Sequence, residues 1–300
     1  MQKKELVVKD NALVDASYNL DLVEQRLILL AIIEARETGQ GIQPESLLQV
    51  HASSYINQFD VDRSSAYEAL QNASKSLFHR YVTYHDINPK TGKKRTFHVR
   101  WVDKIGYESQ SGLVFLRFSQ DVVPLITRLE ENFTSYELQQ VSKLTSAYAI
   151  RLYELLIKWR SVGVTPFFDL DSFRLKLGLE PHEHLRMSHF KSRVLDFSVD
   201  QINQFTDITV SYTQHKSGRN ISGFTFSFKQ KREKTKAVNP IVKPTTPAVA
   251  ARRVVFQGIE AELFKKIKRL YPSVTPADLQ AQADDRHQDV VMIMQELLSR

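Results

Sequence analysis

The 300-residue chain contains no cysteine. That excludes a disulfide framework, a thiolate nucleophile and any zinc site built on thiolates, zinc-finger DNA binding included. No apolar run approaches the roughly 20 residues needed to span a bilayer, and Met1-Gln-Lys-Lys-Glu-Leu-Val-Val8 has no long apolar stretch behind its charges. The expectation is a soluble, cytoplasmic protein with no membrane partner. Nucleotide hydrolysis lacks its parts too: Asn88-Pro-Lys-Thr-Gly-Lys-Lys94 matches a phosphate loop only at Gly-Lys, without the earlier glycine or a Ser or Thr after Lys93. His182, His184 and His189 do not follow His-Glu-x-x-His spacing, and a polar loop before a helix accounts for them, so no metal and no cofactor is expected.

What is present is enough apolar residue, 42% of the chain, to bury substantial cores, and the length favours two domains. The charge is local. Residues 1–185 hold 22 Lys and Arg against 23 Asp and Glu, whereas residues 186–230 hold 6 against 3 and residues 231–258 hold 7 against 1. A confined basic excess steers an acidic polymer toward one face.

Asp21 to Arg36 is apolar over most of a helical circumference, with Gly39 and Gly41 beyond it as stop signals, and predicts a core helix. Leu6, Leu13, Leu20 and Leu27 recur every seven residues, but Asp10, Ser17 and Glu24 fall where a paired helix wants apolar groups, so Leu20 and Leu27 read as core and not as a zipper. Asp62 to Leu77 places Ala66, Leu70, Ala73 and Leu77 on one face behind Asp62 as N-cap. Tyr81–His85 and Arg95–Val102 read as strands around a basic turn, and Leu113–Phe118 as a third strand completing a small sheet with them. Ser146 to Arg160, with Tyr148, Leu152, Leu155, Leu156 and Trp159 on one stripe, predicts a long helix joining or closing two domains.

The same order then recurs. Leu170–Leu177 is a short helix ended by Gly178, followed by a longer helix of about residues 187–204 and strands at Ile208–Gln214 and Gly223–Phe228. Phe224, Phe226 and Phe228 alternate with polar residues, as a half-buried strand requires. The basic segment Arg186-Met-Ser-His-Phe-Lys-Ser-Arg193 fits the major groove as a helix, and the hairpin turn His215-Lys-Ser-Gly-Arg-Asn220 can straddle flanking phosphates. That is the outline of a winged helix. The fold expectation is therefore α+β, helix-rich, with two tandem winged-helix domains carrying small antiparallel hairpin wings, at 1–135 and 136–230. A basic, proline-containing linker (231–257) and a short helical tail (258–300), in which Thr275-Pro276 marks a helix start, complete the chain.

Two blocks carry a family resemblance: Phe133 to Leu156, and Leu185-Arg-Met-Ser-His-Phe-Lys-Ser-Arg-Val-Leu195 followed by Gln201-Ile-Asn203, Ser211-Tyr212, Lys216-Ser-Gly-Arg219 and Phe226-Ser-Phe228. Over roughly residues 5–230 the chain resembles plasmid replication initiators of the iteron-binding type, the family of the F-plasmid initiator. The resemblance implies that the second winged helix reads the major groove of origin repeats and that the first grips backbone in a monomer or pairs subunits in a dimer. It places base reading on Arg186, Ser188, His189, Lys191, Ser192 and Arg193, and phosphate contact on the wing residues Lys216, Arg219 and Asn220. Lys90, Lys93, Lys94 and Arg95 form the matching wing of the first domain.

The implied function is noncatalytic. The protein would bind direct repeats at a replication origin, promote origin opening and recruit a host initiator and the replicative helicase. A homodimer in equilibrium with monomer would repress its own promoter. The partners are then double-stranded DNA, at origin repeats and the promoter, and those host proteins. Two alternatives remain open: a winged-helix transcriptional repressor without an initiation role, and a rolling-circle replication endonuclease. The endonuclease needs two metal-binding histidines flanking a bulky apolar residue, but His182 and His184 flank Glu183, and no Tyr-x-x-Lys pattern is present.

Overall fold

The computed structural model describes residues 5–127, 132–231 and 263–267. It divides into two units, 1–233 and 234–300; in the second, 263–267 form one helical turn, and the rest of the linker and tail, with the Thr275-Pro276 helix start, lies outside the described residues. Among the described residues no helix is long and apolar enough to cross a membrane.

In the first unit, β1 (Leu6–Asp10) and α1 (Asn11–Asp15) lead into α2 (Leu22–Thr38), β2 (Leu48–His51), α3 (Ala52–Phe59) and α4 (Arg63–Leu77). Four strands follow, β3 (Tyr81–Ile87), β4 (Lys94–Arg100), β5 (Val102–Glu108) and β6 (Leu113–Phe118), then α5 (Val123–Thr127), β7 (Phe133–Glu137) and α6 (Gln139–Ser142). The second half holds α7 (Ala147–Ile157), β8 (Phe168–Asp169), α8 (Leu170–Lys176), α9 (Met187–Phe190), a π-helical turn (Lys191–Leu195), α10 (Asp196–Phe205), β9 (Ile208–Ser217) and β10 (Asn220–Gln230).

Local chemistry explains the helix boundaries. The Asp21 carboxylate accepts from the Glu24 amide and the Glu24 carboxylate from the Asp21 amide, both at 2.8 Å, a reciprocal cap that starts α2. Gly39, at φ 71°, closes it in a left-handed turn. Asp62 caps α4 by accepting from the Ser65 amide. Residues 24–33 of α2 are all buried, so this is the core helix of the first half.

The two halves repeat one topology. Each has a three-stranded sheet in which the strand before the helix pair lies beside the last strand: β2-β6-β5 in the first and β8-β10-β9 in the second. Two tandem winged helices are thus present, and one continuous apolar cluster runs from Val7 to Phe228 through both. In the second, Phe224, Phe226 and Phe228 are buried as their alternation requires, and Phe173 packs against Phe168, Phe190, Phe224 and Phe226. Gly223 lets β10 pass close to β8, since a Cβ there would stand 2.1 Å from the Phe168 carbonyl.

One strand assignment is corrected. β6 does not complete a sheet with the strands at 81–87 and 94–100; it pairs with β2 and β5, while β3 and β4 form a separate two-stranded hairpin, tied to the segment after α1 by a bridge between Thr83 and Ser17. The run expected as one strand, 95–102, breaks at Trp101, whose fully buried side chain anchors the crossing from one sheet to the next.

The joint between the halves is ionic and buried. β1 pairs antiparallel with β7 from Leu6↔Glu137 to Asp10↔Phe133, which brings Lys9 and Tyr136 onto α7. Every residue of α7 from Ala149 to Ile157 is buried, including Arg151 and Glu154. Glu154 accepts from Lys9 (2.6 Å), Tyr136 (2.6 Å), Arg151 (2.7 Å) and Tyr18 (3.3 Å). Arg151 also donates to the carbonyls of Val14, Ala16 and Lys176.

Candidate DNA interface

The segment 187–205 is one continuous helical rod whose middle turn is π-helical. Its inner side is set by Phe190, Val194, Leu195 and Ile202, all buried. Ser188, His189, Ser192 and Arg193 are exposed on the outer side, and Arg186 is exposed at the helix start. These residues present one guanidinium, an imidazole and two hydroxyls along an edge, with a second guanidinium at its entrance. That is a donor-rich strip of the kind that reads base edges.

Lys191 differs from its neighbours. It is half-buried, and its ammonium donates to Gln214 Oε1 at 3.1 Å and lies 5.7 Å from the centre of the Tyr212 ring. Tyr212 in turn donates to Asp196 Oδ1 at 2.6 Å, and burial together with that carboxylate pushes its phenol well up from its ordinary pKa. Lys191, Gln214, Tyr212 and Asp196 therefore tie the helix to β9, fixing the angle between the 187–205 helix and the hairpin.

The wing itself is the β9–β10 turn. Gly218, at φ 63°, makes the left-handed bend, and Lys216, Arg219 and Asn220 are all exposed around it. Behind the turn, His215 Nε2 and Thr225 Oγ1 are 2.8 Å apart across the two strands.

The first domain presents a different surface. In its three-stranded sheet the turn that corresponds to the wing is Ser109-Gln-Ser-Gly112, which bears no cation, and α4, the counterpart of the 187–205 helix, exposes Arg63, Glu68 and Lys75 among hydroxyls and amides. The basic residues sit elsewhere. Lys90, Lys93 and Lys94 are exposed at the tip of the additional β3–β4 hairpin, whose turn is closed by Gly92 at φ 66°. The expectation that they form the matching wing is thus corrected in topology: the hairpin is an insertion between α4 and the winged-helix strands. Arg95 is not free for a phosphate, since its guanidinium makes two parallel bonds to Asp86 at 2.8 and 2.6 Å and lies over Phe97. Arg95 also holds the Asp86 carboxyl below its usual range.

The structure thus brings Arg186, Ser188, His189, Ser192 and Arg193 together on one helix, with Lys216, Arg219 and Asn220 on the adjoining wing. Lys191 stands between the two as a brace. Phe197, on the same helix and 46% exposed, is absent from the set expected on sequence, because an aromatic on an amphipathic helix ordinarily reads as core.

Two family descriptions match the chain: "Initiator Replication protein, WH1" over residues 6–157 and "Initiator Rep protein, WH2" over residues 169–228. Two proteins of Escherichia coli are similar in sequence. One, described as an uncharacterized 27.6 kDa protein, is 26% identical over 77% of this chain and 97% of its own length. The other, described as a replication initiation protein, is 28% identical over 60% of this chain and 57% of its own length. In fold the chain is similar to the Pi initiator protein, whose crystal structure was solved in complex with iteron DNA; the TM-score is 0.62 at 20% identity, covering 78% of this chain and 100% of that one.

Proposed function

The chain belongs to the initiator replication protein family, and from that premise we propose that it is a noncatalytic plasmid replication initiator that binds direct repeats at its origin. The observation that carries this reading is the paired exposure of the 187–205 helix edge and the Lys216, Arg219, Asn220 wing on one rigidly braced unit. Arg186, Ser188, His189, Ser192 and Arg193 read bases, with Lys191 setting the pose, and the wing cations hold the flanking phosphates. Lys90, Lys93 and Lys94 on the inserted hairpin add a second backbone contact. Several copies bound side by side strain adjacent DNA so that a host initiator and the replicative helicase load. A dimeric form represses the protein's own promoter. The Pi initiator, of the same fold, is bound to iteron DNA in its crystal structure, which supports duplex DNA as the partner.

Footprinting the purified full chain on DNA flanking its own gene, at near-physiological salt with competitor, tests this. Protection of several evenly spaced direct repeats is expected. A single protected inverted repeat at the promoter would make it a repressor, and strand cleavage with covalent attachment would overturn both.

A further inference from the structure

The reading helix places its apolar and polar residues the wrong way round at one step. Ser198 is buried, 1% exposed, and its hydroxyl has no hydrogen-bond partner, while Phe197 beside it is 46% exposed. Burying the ring and exposing the hydroxyl would favour folding at both positions. The π-helical turn at Lys191–Leu195 explains how the inversion arises. Such a turn inserts the equivalent of one residue into the α-helical register, so the rod beyond it is rotated by roughly 100°. In an uninterrupted α-helix the inward position now held by Ser198 would fall to Phe197.

What the rotation achieves is alignment. His189, Arg193 and Phe197 are all exposed, and with the residue inserted by the π turn discounted, Phe197 follows His189 by the equivalent of seven α-helical positions, roughly two full turns, so the two share one helix edge. The ring therefore lies on the edge assigned to base reading. A local violation of folding preference of this kind marks a functional position. Among the groups that base pairs present in the major groove, the thymine 5-methyl is the apolar one.

We propose that Phe197 is a specificity-determining residue that packs its ring on the 5-methyl group of a thymine in the repeat. The π turn is the device that delivers it there, and Ser198 is the buried cost. The inference rests on the assignment of the 187–205 helix to the major groove and adds to it one base, one chemical group and one residue.

The test uses the full-chain protein and single-repeat duplexes in which each thymine in turn is replaced by deoxyuridine, which removes only the methyl group. Wild type should lose about fourfold in affinity at one position, the effect of one buried methyl. Phe197→Ala should bind the thymine duplex correspondingly less tightly and be indifferent to uracil at that position. Phe197→Leu should retain part of the discrimination, and Arg193→Ala should retain it while losing preference at another base pair. The proposal is overturned if wild type binds every uracil duplex as it binds thymine, or if Phe197→Ala discriminates as wild type does. It also fails if Phe197→Ala weakens only cooperative filling of several repeats, which would make the ring a protein contact. If no repeat is bound in preference to competitor, the helix assignment itself fails, a result distinct from intact repeat binding without a methyl effect.

Discussion

Arg193 and Lys191 stand two residues apart on one helix with opposite surroundings: the guanidinium is exposed, and the ammonium is held by Gln214 and the Tyr212 ring. Arg193→Ala should therefore lower the ratio of specific to nonspecific binding by about 1–3 kcal/mol, the worth of one bidentate guanine contact, as competition titrations with scrambled repeats will measure. Unchanged sequence preference would place the reading elsewhere. Lys191→Ala should instead lower the urea midpoint, by about 1 kcal/mol in stability, and leave the base preference intact. The helical period makes Arg193 readable as exposed from sequence alone. It cannot reveal the Lys191 brace, whose partner is 23 residues away on another element. Arg95 was readable in principle, because pairing Tyr81 to Arg100 across the hairpin puts Asp86 opposite it.

At the scale of elements, the inserted β3–β4 hairpin and the β5–β6 turn exchange the roles that chain order suggested. Hydrophobic alternation located β3, β4, β6, β9 and β10 to within about three residues but left β1, β2, β5, β7 and β8 unread, and the cap at Asp62 located the start of α4. Pairing was not legible, because β3 to β6 follow one another with short turns and either partnering satisfies the local pattern; the choice is made by long-range packing of β2 against β6. Replacing Lys90, Lys93 and Lys94 together by Ala should weaken all duplexes alike and flatten the dependence of log affinity on log salt, by up to ~0.9 for each phosphate that is no longer neutralised. Polar substitutions at Ser109–Ser111 should leave that slope unchanged. Equal slopes for the triple variant and wild type would take the hairpin off the DNA.

Across the whole of residues 5–231, the two winged helices are held together by a buried cluster that contributes two cations, Lys9 and Arg151, against the single carboxylate of Glu154. Burial pushes the Lys9 ammonium down and Glu154 offsets only part of that, whereas Arg151 stays firmly charged. Burial by itself would raise the Glu154 carboxyl, but Lys9 and Arg151 outweigh it and hold the group down at about 2. The repeated helix and strand order made two domains legible in the sequence; the joint was not, since its members come from β1, the segment after α1, β7 and α7. Glu154→Gln leaves two buried cations without their anion and should cost about 3–5 kcal/mol, read from urea unfolding. The same cluster sets the acid response. A carboxyl whose folded pKa lies below its unfolded value binds more protons when unfolded, so its stabilisation is complete above the ordinary glutamate range near ~4.3. It is lost as the pH falls through about 2. Wild type should therefore lose stability steeply between those limits, and the Glu154→Gln variant, with nothing left there to protonate, should lose less over the same interval. Parallel acid-unfolding curves for the two proteins would show that this carboxylate does not control how the halves stay joined.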